Sequence, residues 1–376
     1  MGKPIALFLS NYTAEYVISA RARYFAEAIS DVYKPVVVYR EGPKEEALRQ
    51  FLAAAWQMAP HFIYVMEVGF IGGLVALLAK LSRGVPYIAD TAGTAMDGLR
   101  ASRQPRWRWQ AADWVERRIY GHAAGVAVRG LLQKIIFEAR YYNDRVYYLP
   151  ESVDTERWCP KERPDLRAAL GLDGCLTVGV MGTLAWSDAL DWGYGKELVE
   201  MLHLLRDEPV KGVIIPVRSS HGGSQHGEAK LRELIARRGL DDRVVFIRDV
   251  PREAVPDYLS VVDVCLSTQT ADPVGEMRTS AKLPDYLACG KFVLATRVGT
   301  ARFVLPEEML LDYRGRYDPH YPQRLAERVR WILAHRDALA LGSRGVAIAK
   351  EHFEFRKVAQ AAREMILECI PAPGTV

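Results

Sequence analysis

Three things are missing from this 376-residue chain: a GxGxxG, a CxxC, and any apolar run long enough to cross a bilayer. Each absence removes a class of protein. The chain opens as a strand, a helix and a second strand without the glycine fingerprint, which counts against a nicotinamide or flavin enzyme. Its five cysteines, at 159, 175, 265, 289 and 369, are scattered, and Cys265 and Cys289 sit in apolar contexts that suit buried thiols better than metal ligands. His221 and His226, in SSHGGSQHG, have no cysteine or fixed carboxylate beside them, so no metal is expected. Residues 68–81 come nearest to a membrane span but fall short of the roughly 18 to 20 apolar residues one needs. The opening MGKPIALFLSNY is too short for a signal peptide and lacks a cleavage site, so it reads as a first strand and the expected location is cytoplasmic. Lysine and arginine total 50 against 46 acids, a net charge of +4, too weak a bias for a nucleic-acid partner.

What is present is an alternation of strand and helix. Apolar runs at 4–10, 34–40, 62–68, 85–90, 124–129 and 146–150 are separated by helical patterns over 17–30, 44–58, 70–82 (a buried helix) and 130–140. A polar, proline-bearing stretch follows, ESVDTERWCPKERPDLRAALGLDG, after which CLTVGVMGTLAWS restarts the same alternation. The chain is longer than one core usually sustains. Two α/β layers are therefore predicted: residues 1–155, a linker at 156–172, and 173–350, with a helix and tail over 351–376. Two such layers leave a cleft for a ligand.

The stretch from Ser267 to Gly299, STQTADPVGEMRTSAKLPDYLACGKFVLATRVG, concentrates the chemistry. It leaves the carboxyl end of an apolar strand, where open α/β sheets bind ligands. Its loop carries Asp272, Glu276 and Arg278. Thr279 or Ser280 is placed to cap the next helix, which holds Lys282 and Asp285 in its first turns. Helix-start N–H groups with Arg278 and Lys282 suit a phosphorylated ligand, and a solvated polar loop is the plainer alternative. Gly182 would let the backbone approach that ligand closely. Asp90 ends a strand, either as a catalytic or sugar-binding group or as a cap for the Thr91 turn. Residues 99–120 interleave Trp107, Trp109 and Trp114 with six arginines, which fits a membrane interface, an acceptor platform or arginines stacked between helices. Pro105 favours a break there over one continuous helix.

With these residues in view, the chain resembles the retaining glycosyltransferases of family 4, which have the GT-B fold. YYLPESVDTERWCP is similar to that family's IPNGVDxxxFxP pattern. KLPDYLACGKFVLATRVG resembles its EAMAxGxPVVAxxxG segment, and KEHFEFRKVAQAAREMI resembles its closing helix. The resemblance runs nearly end to end. It implies two Rossmann-like α/β/α domains facing across a cleft, the last helix packing back on the first domain, and a nucleotide-sugar donor held mainly by the second. Neither a metal nor a bound cofactor is implied. Asp285 takes the place of the second Glu of the family's E-x7-E motif, which binds the donor ribose. Met277 takes the place of the first, with Glu276 adjacent as a stand-in. Thr183 stands where the family has an arginine, and Tyr194–Gly195 near its Lys-Gly, so Arg278, Lys282, Lys196 or Arg218 would have to supply the phosphate cations. Asn11, Tyr12 and Thr13 would line the acceptor side, and Asp90 is the nearby carboxylate.

The implied reaction is transfer of a sugar to a glycan, a lipid-linked sugar or a small molecule, with retention at the anomeric carbon. Peripheral contact with the inner face of a membrane through 99–120 would suit a lipid-linked acceptor. A sugar-nucleotide epimerase or phosphorylase of the same fold, and a non-catalytic sugar-nucleotide-binding or scaffold protein, are the alternatives.

Overall fold

The computed structural model describes residues 2–14, 16–67, 69–141, 143–188, 191–217 and 223–370. The chain forms two compact units: Met1–Ser152 with Pro273–Thr279 and Phe355–Val376, and Val153–Asp272 with Ser280–Glu354.

The first unit is built on β1 (Ile5–Ser10), β2 (Lys34–Tyr39), β3 (Phe62–Met66), β4 (Tyr87–Thr91), β5 (Gly125–Val128) and β6 (Val146–Tyr148), all parallel, in the order β2-β1-β3-β4-β5-β6. Helices cover both faces, which is why β3, β4 and β5 are buried throughout and read as continuous apolar runs. Phe51 of α2 (Lys44–Gln57), Val75 of α3 (Phe70–Arg83), Ile119 of α5 (Arg106–His122) and Phe137 of α6 (Leu131–Tyr141) fill one face. Phe25 of α1 (Val17–Ala28) and Met365 and Ile366 of α16 (Phe355–Cys369) fill the other.

The last helix is fastened to this unit at several points. The Tyr33 hydroxyl donates to the Ile370 carbonyl at 2.8 Å, the rings of Tyr24 and Phe355 lie 4.4 Å apart, and Arg363 Nη2 donates to Asp31 at 2.7 Å. A break does fall at Pro105: α4 (Ala95–Ala101) ends, and Pro105 stands at the N-cap of α5. The helix expected to be buried, α3, is buried on one face only. Leu74, Leu78 and Leu81 are exposed on it.

The second unit repeats the plan. Its sheet holds β7 (Leu176–Gly182), β10 (Val210–Pro216), β11 (Val244–Phe246), β12 (Val264–Ser267), β13 (Phe292–Thr296) and β14 (Leu310–Leu311), parallel, in the order β11-β10-β7-β12-β13-β14. The connecting helices are α7 (Pro164–Ala169), α8 (Lys196–Leu204), α9 (Gly223–Arg238), α10 (Val255–Ser260), α12 (Lys282–Ala288), α13 (Ala301–Val304), α14 (Tyr321–Ala334) and α15 (Gly342–Ile348). Within the stretch expected as a loop, 185–195, β8 (Trp186–Ser187) and β9 (Trp192–Gly193) pair antiparallel.

Residues 156–172, whose composition suggests a linker, are packed into this second unit. Trp158 and Leu172 are buried in its core, and Arg167 forks onto Asp263 at 3.1 Å. Polar composition hid those two apolar anchors. Short α11 (Pro273–Glu276) belongs to the first unit, where it packs on α4.

Candidate functional site

In each sheet the strand order reverses direction at one point, and there the carboxyl ends of neighbouring strands diverge and leave room for a ligand. In the second unit this point lies between β7 and β12, whose pairing stops at Cys265 with Gly179. Beyond it, Gly182 turns with φ +145°, a conformation that favours glycine. A Cβ there would stand 3.1 Å from the Lys282 Nζ. The same ammonium lies 3.5 Å from the centroid of the Tyr194 ring. Burial pushes the Lys282 amine down to about 7.

Two tyrosines hold this corner together. The Tyr286 hydroxyl accepts the Met181 N–H at 2.7 Å, tying α12 to β7, and the Tyr194 hydroxyl donates to the Leu266 carbonyl at 3.3 Å. Asp285 lies on α12 beyond Lys282 and is buried. Gly182, Lys282 and Tyr194 thus share one corner of the second unit.

The remaining phosphate-side residues are placed differently. Thr183 follows the turn, with its carbonyl accepting the Ala185 N–H at 2.9 Å. Lys196 is already engaged: its Nζ donates to the Asp191 carbonyl and to the Asp191 carboxylate at 3.0 Å. Arg218 and His221 lie outside the described residues. His226 faces the exposed Asp188 at 3.0 Å, and no group of His, Cys, Asp or Glu among the described residues is arranged to hold a metal ion. The expected capping of α12 by Thr279 or Ser280 does not occur. Its N-cap is Ala281, without a side-chain bond, and the Thr279 hydroxyl donates instead to the Arg129 carbonyl.

In the first unit the reversal lies between β1 and β3. Glu67, just past β3, adopts φ +56°, and its carboxylate Oε1 accepts from the Thr91 hydroxyl and the Ala92 N–H, each at 3.3 Å. Its Oε2 lies 3.1 Å from Arg129 Nη2. Burial raises the Glu67 carboxyl, and Arg129 offsets only part of that rise. Asn11, just past β1, clamps the same turn: its amide nitrogen donates to the Glu67 carbonyl and its oxygen accepts the Gly72 N–H at 3.2 Å. Tyr12 stacks on Tyr16 at 4.4 Å, and its hydroxyl is pushed up by burial and then by the Glu67 charge. Thr13 is exposed, and its carbonyl accepts the Ser19 hydroxyl at 2.7 Å.

Asp90 meets neither expectation held for it. It is fully buried and does not cap the Thr91 turn, where Thr91 bonds Gly93 instead. Its oxygens accept from Arg129 at 2.9 Å, from Arg21 at 3.1 Å and from the Tyr64 hydroxyl at 3.1 Å. Burial works against its charge, but Arg21 and then Arg129 outweigh burial and hold the carboxyl below its ordinary range. A carboxylate so enclosed has no face to offer a sugar. At this edge Glu67 and Glu151, both paired with Arg129, keep some exposure, 18% and 13% of their side chains.

The segment carrying Glu276, Met277 and Arg278 docks on the first unit. A Cβ on Gly130 would overlap the Met277 carbonyl, so only glycine fits beneath it. The Met277 side chain is buried in the core between the sheet and α2, α3, α5 and α6. That removes it from the donor-contacting set, because its whole side chain is spent on packing. Glu276 ends α11, and the Arg278 guanidinium lies beside Gly93.

Glu67, Arg129, Tyr194 and Glu151, which accepts from Arg129 Nη1 at 2.9 Å, were given no role from sequence. The available signal was a charged residue abutting the carboxyl end of an apolar strand, FIYVM before Glu67 and GVAV before Arg129.

Two parallel six-stranded sheets, each flanked by helices, define the two-domain GT-B fold. HepE of Anabaena, solved in complex with UDP-glucose, superposes with a TM-score of 0.73 at 16% identity, over 97% of this chain and 100% of that one. Sucrose-phosphate synthase from Thermosynechococcus elongatus superposes with a TM-score of 0.75 at 17% identity, over 98% and 99% of the two chains. Residues 176–335 match the family model of the group 1 glycosyl transferases. The lipopolysaccharide core biosynthesis mannosyltransferase LpsB of Rhizobium meliloti is 29% identical over 149 residues, a match spanning 39% of each chain. No helix among the described residues is long and apolar enough to cross a membrane.

Proposed function

We propose that this protein is a retaining, metal-independent hexosyltransferase of glycosyltransferase family 4, using a nucleoside-diphosphate sugar as donor and a glycan, lipid-linked sugar or small molecule as acceptor. The observation that carries the proposal is the corner formed by Gly182, Lys282 and Tyr194. It stands at the reversal point of the second sheet and inside the segment matched by the group 1 glycosyl transferases. HepE, solved in complex with UDP-glucose, supports a nucleotide sugar as the ligand class.

The donor half of the chemistry falls to the second unit. Lys282, recharged by a bound diphosphate, stabilises the negative charge that builds on the leaving phosphate. The Gly182 turn lets the backbone approach that phosphate, and Asp285 accepts hydrogen bonds from the ribose hydroxyls. Arg278 and Glu276, which belong to the first unit, are a further candidate cation and carboxylate in the proposal. Glu67, Asn11 and Tyr12, at the first unit's reversal point, hold and orient the acceptor. The bond from the anomeric carbon to the phosphate oxygen breaks, the acceptor oxygen bonds to the same face of that carbon, and the acceptor's proton passes to the leaving phosphate.

A non-catalytic sugar-nucleotide binder is the second reading. It is favoured by one observation: Thr183 brings no charge and the Lys196 ammonium is paired with Asp191. Calorimetry with a panel of nucleoside diphosphates and nucleotide sugars, followed by a nucleotide-release assay on acceptors, separates the two. Binding with turnover and an anomerically retained product supports the transferase. Binding without turnover on any acceptor supports the binder, and no binding across the panel sinks both.

A further inference from the structure

The large apolar side chains exposed on the first unit are distributed unequally between its two helical layers. Those of the described residues all lie on one layer: Leu48 and Trp56 on α2, Leu74, Leu78 and Leu81 on α3, Trp107 and Trp114 on α5, and Ile135 on α6. Among the described side chains, the layer of α1 and α16, on the opposite face of the sheet, contributes none. Within the first layer, α2 packs on α3, α3 on α5, and α5 on α6, so the exposed groups occur on successive neighbours. Leu74, Leu78 and Leu81 recur at helical spacing and share one side of α3, as Trp107 and Trp114 share one side of α5.

On α3 and around the α5 tryptophans the charge has one predominant sign, whereas on α2 Lys44 and Arg49 are balanced by Glu45 and Glu46. Helix α3 carries Lys80 and Arg83 and no acid. Residues 99–120 carry six arginines against Asp113 and Glu116. Glu116 is turned inward, where it accepts the Ala95 N–H at 2.6 Å, and Asp113 is met by Arg117 at 2.9 Å and Arg140 at 2.7 Å. The arginines lie on the tryptophans: the Arg118 guanidinium carbon is 3.7 Å from the Trp114 ring centroid, and that of Arg108 is 5.3 Å from the Trp107 ring. Such a pair sets a flat apolar ring beside a cation that bonds phosphate oxygens. A headgroup boundary calls for that combination, whereas a protein core would need the cation matched.

We propose that the outer side of α3 and α5 is a peripheral docking surface for an anionic phospholipid bilayer. Trp107, Trp114 and the α3 leucines enter the headgroup boundary, and the arginines of α5 meet lipid phosphate. The proposal does not depend on the sugar-transfer reading, since it rests on a surface and not on the reversal points of the sheets.

The test is co-sedimentation of the full chain with vesicles of phosphatidylglycerol and phosphatidylcholine, beside vesicles of phosphatidylcholine alone. Expected is binding to the anionic vesicles that falls with added salt and is weak on the neutral ones. The double variants Trp107→Ser/Trp114→Ser and Leu78→Ser/Leu81→Ser each lower the bound fraction by roughly tenfold. Trp331→Ser, an exposed tryptophan of the second unit, leaves it unchanged. The substituted side chains are exposed, and an unchanged melting temperature confirms that each variant is folded. Absence of binding to anionic vesicles, equal binding to neutral ones, or full binding by both double variants overturns the proposal. Self-association in sedimentation velocity, lost in the same variants and without vesicle binding, also overturns it and assigns the surface to a second copy of the chain.

Discussion

The Lys282 ammonium lies 3.5 Å from the centroid of the Tyr194 ring, beside a glycine turn that leaves it no side-chain neighbour at position 182. An aromatic face partly compensates a cation that burial would otherwise neutralise. The amine is therefore poised near its midpoint at neutral pH, and an arriving anion decides its charge.

This poise makes binding depend on pH with a definite sign. In the free protein the amine titrates at about 7, so above that value it must take up a proton when a diphosphate binds. Nucleoside diphosphate affinity should fall as pH rises from about 7 to about 8.5, by at most about tenfold per unit. Lys282→Met should weaken binding by about tenfold to a hundredfold, as expected for losing a charge-assisted hydrogen bond, and should flatten the dependence. Calorimetry across this range, on both proteins, reads both effects. A wild-type affinity independent of pH would remove Lys282 from the diphosphate contact.

Gly182→Ala attacks the same corner through the backbone. At φ +145° an L side chain is strained, and the new Cβ presses on the Lys282 Nζ. The substitution should lower stability by about 1–3 kcal/mol and weaken nucleotide binding with it. Thermal melts and titrations test the two together. A stable variant with wild-type affinity would show that the close approach at Gly182 is not used.

Glu67→Gln tests the acceptor side. The variant should keep nucleotide affinity, because Glu67 is not among the proposed diphosphate contacts, while turnover falls by about tenfold to a hundredfold. Since burial lifts the Glu67 carboxyl above 4.5, wild-type activity should rise with pH through that raised value as the carboxylate forms. The Gln variant should lack this acid limb. Full turnover in the variant would leave Glu67 a turn-forming residue only.

Asp90→Asn should act on stability before activity. It leaves Arg21 and Arg129 buried beside a neutral amide, which costs about 3–5 kcal/mol. The Asp90 carboxyl is held below 3.8, so its contribution is present above 3.8 and is lost as pH falls through the lowered value. Urea midpoints measured from neutrality down to about pH 3 should fall more for the wild type than for the variant. Equal midpoints at neutral pH would contradict the structural role.

Much of the fold was legible in one dimension. Apolar runs of strand length between helical periodicities announce parallel, doubly covered sheets, because a strand buried on both faces cannot alternate. GVMGTL announced a turn at the end of a strand, and Pro105 announced a helix break. The Trp/Arg segment was visible too, but its α3 half was not. Leucines at 74, 78 and 81 look like any core leucines until the sheet shows which side of the helix faces inward.

Composition, periodicity and local punctuation by themselves determined two α/β layers, the absence of a dinucleotide fingerprint, and a strand-end loop leading into a helix at 267–299. Only the tertiary structure decided what that stretch does residue by residue. It sends 273–279 to the first unit and Lys282 and Asp285 to the second. It buries Met277 in the first unit's core, and it surrounds Asp90 with Arg21, Arg129 and Tyr64 from other elements. The reason is physical: local sequence encodes which way a side chain points along its own element. Its charge state and partners are set by the ends of other strands, far away in the chain and brought close only by the sheet.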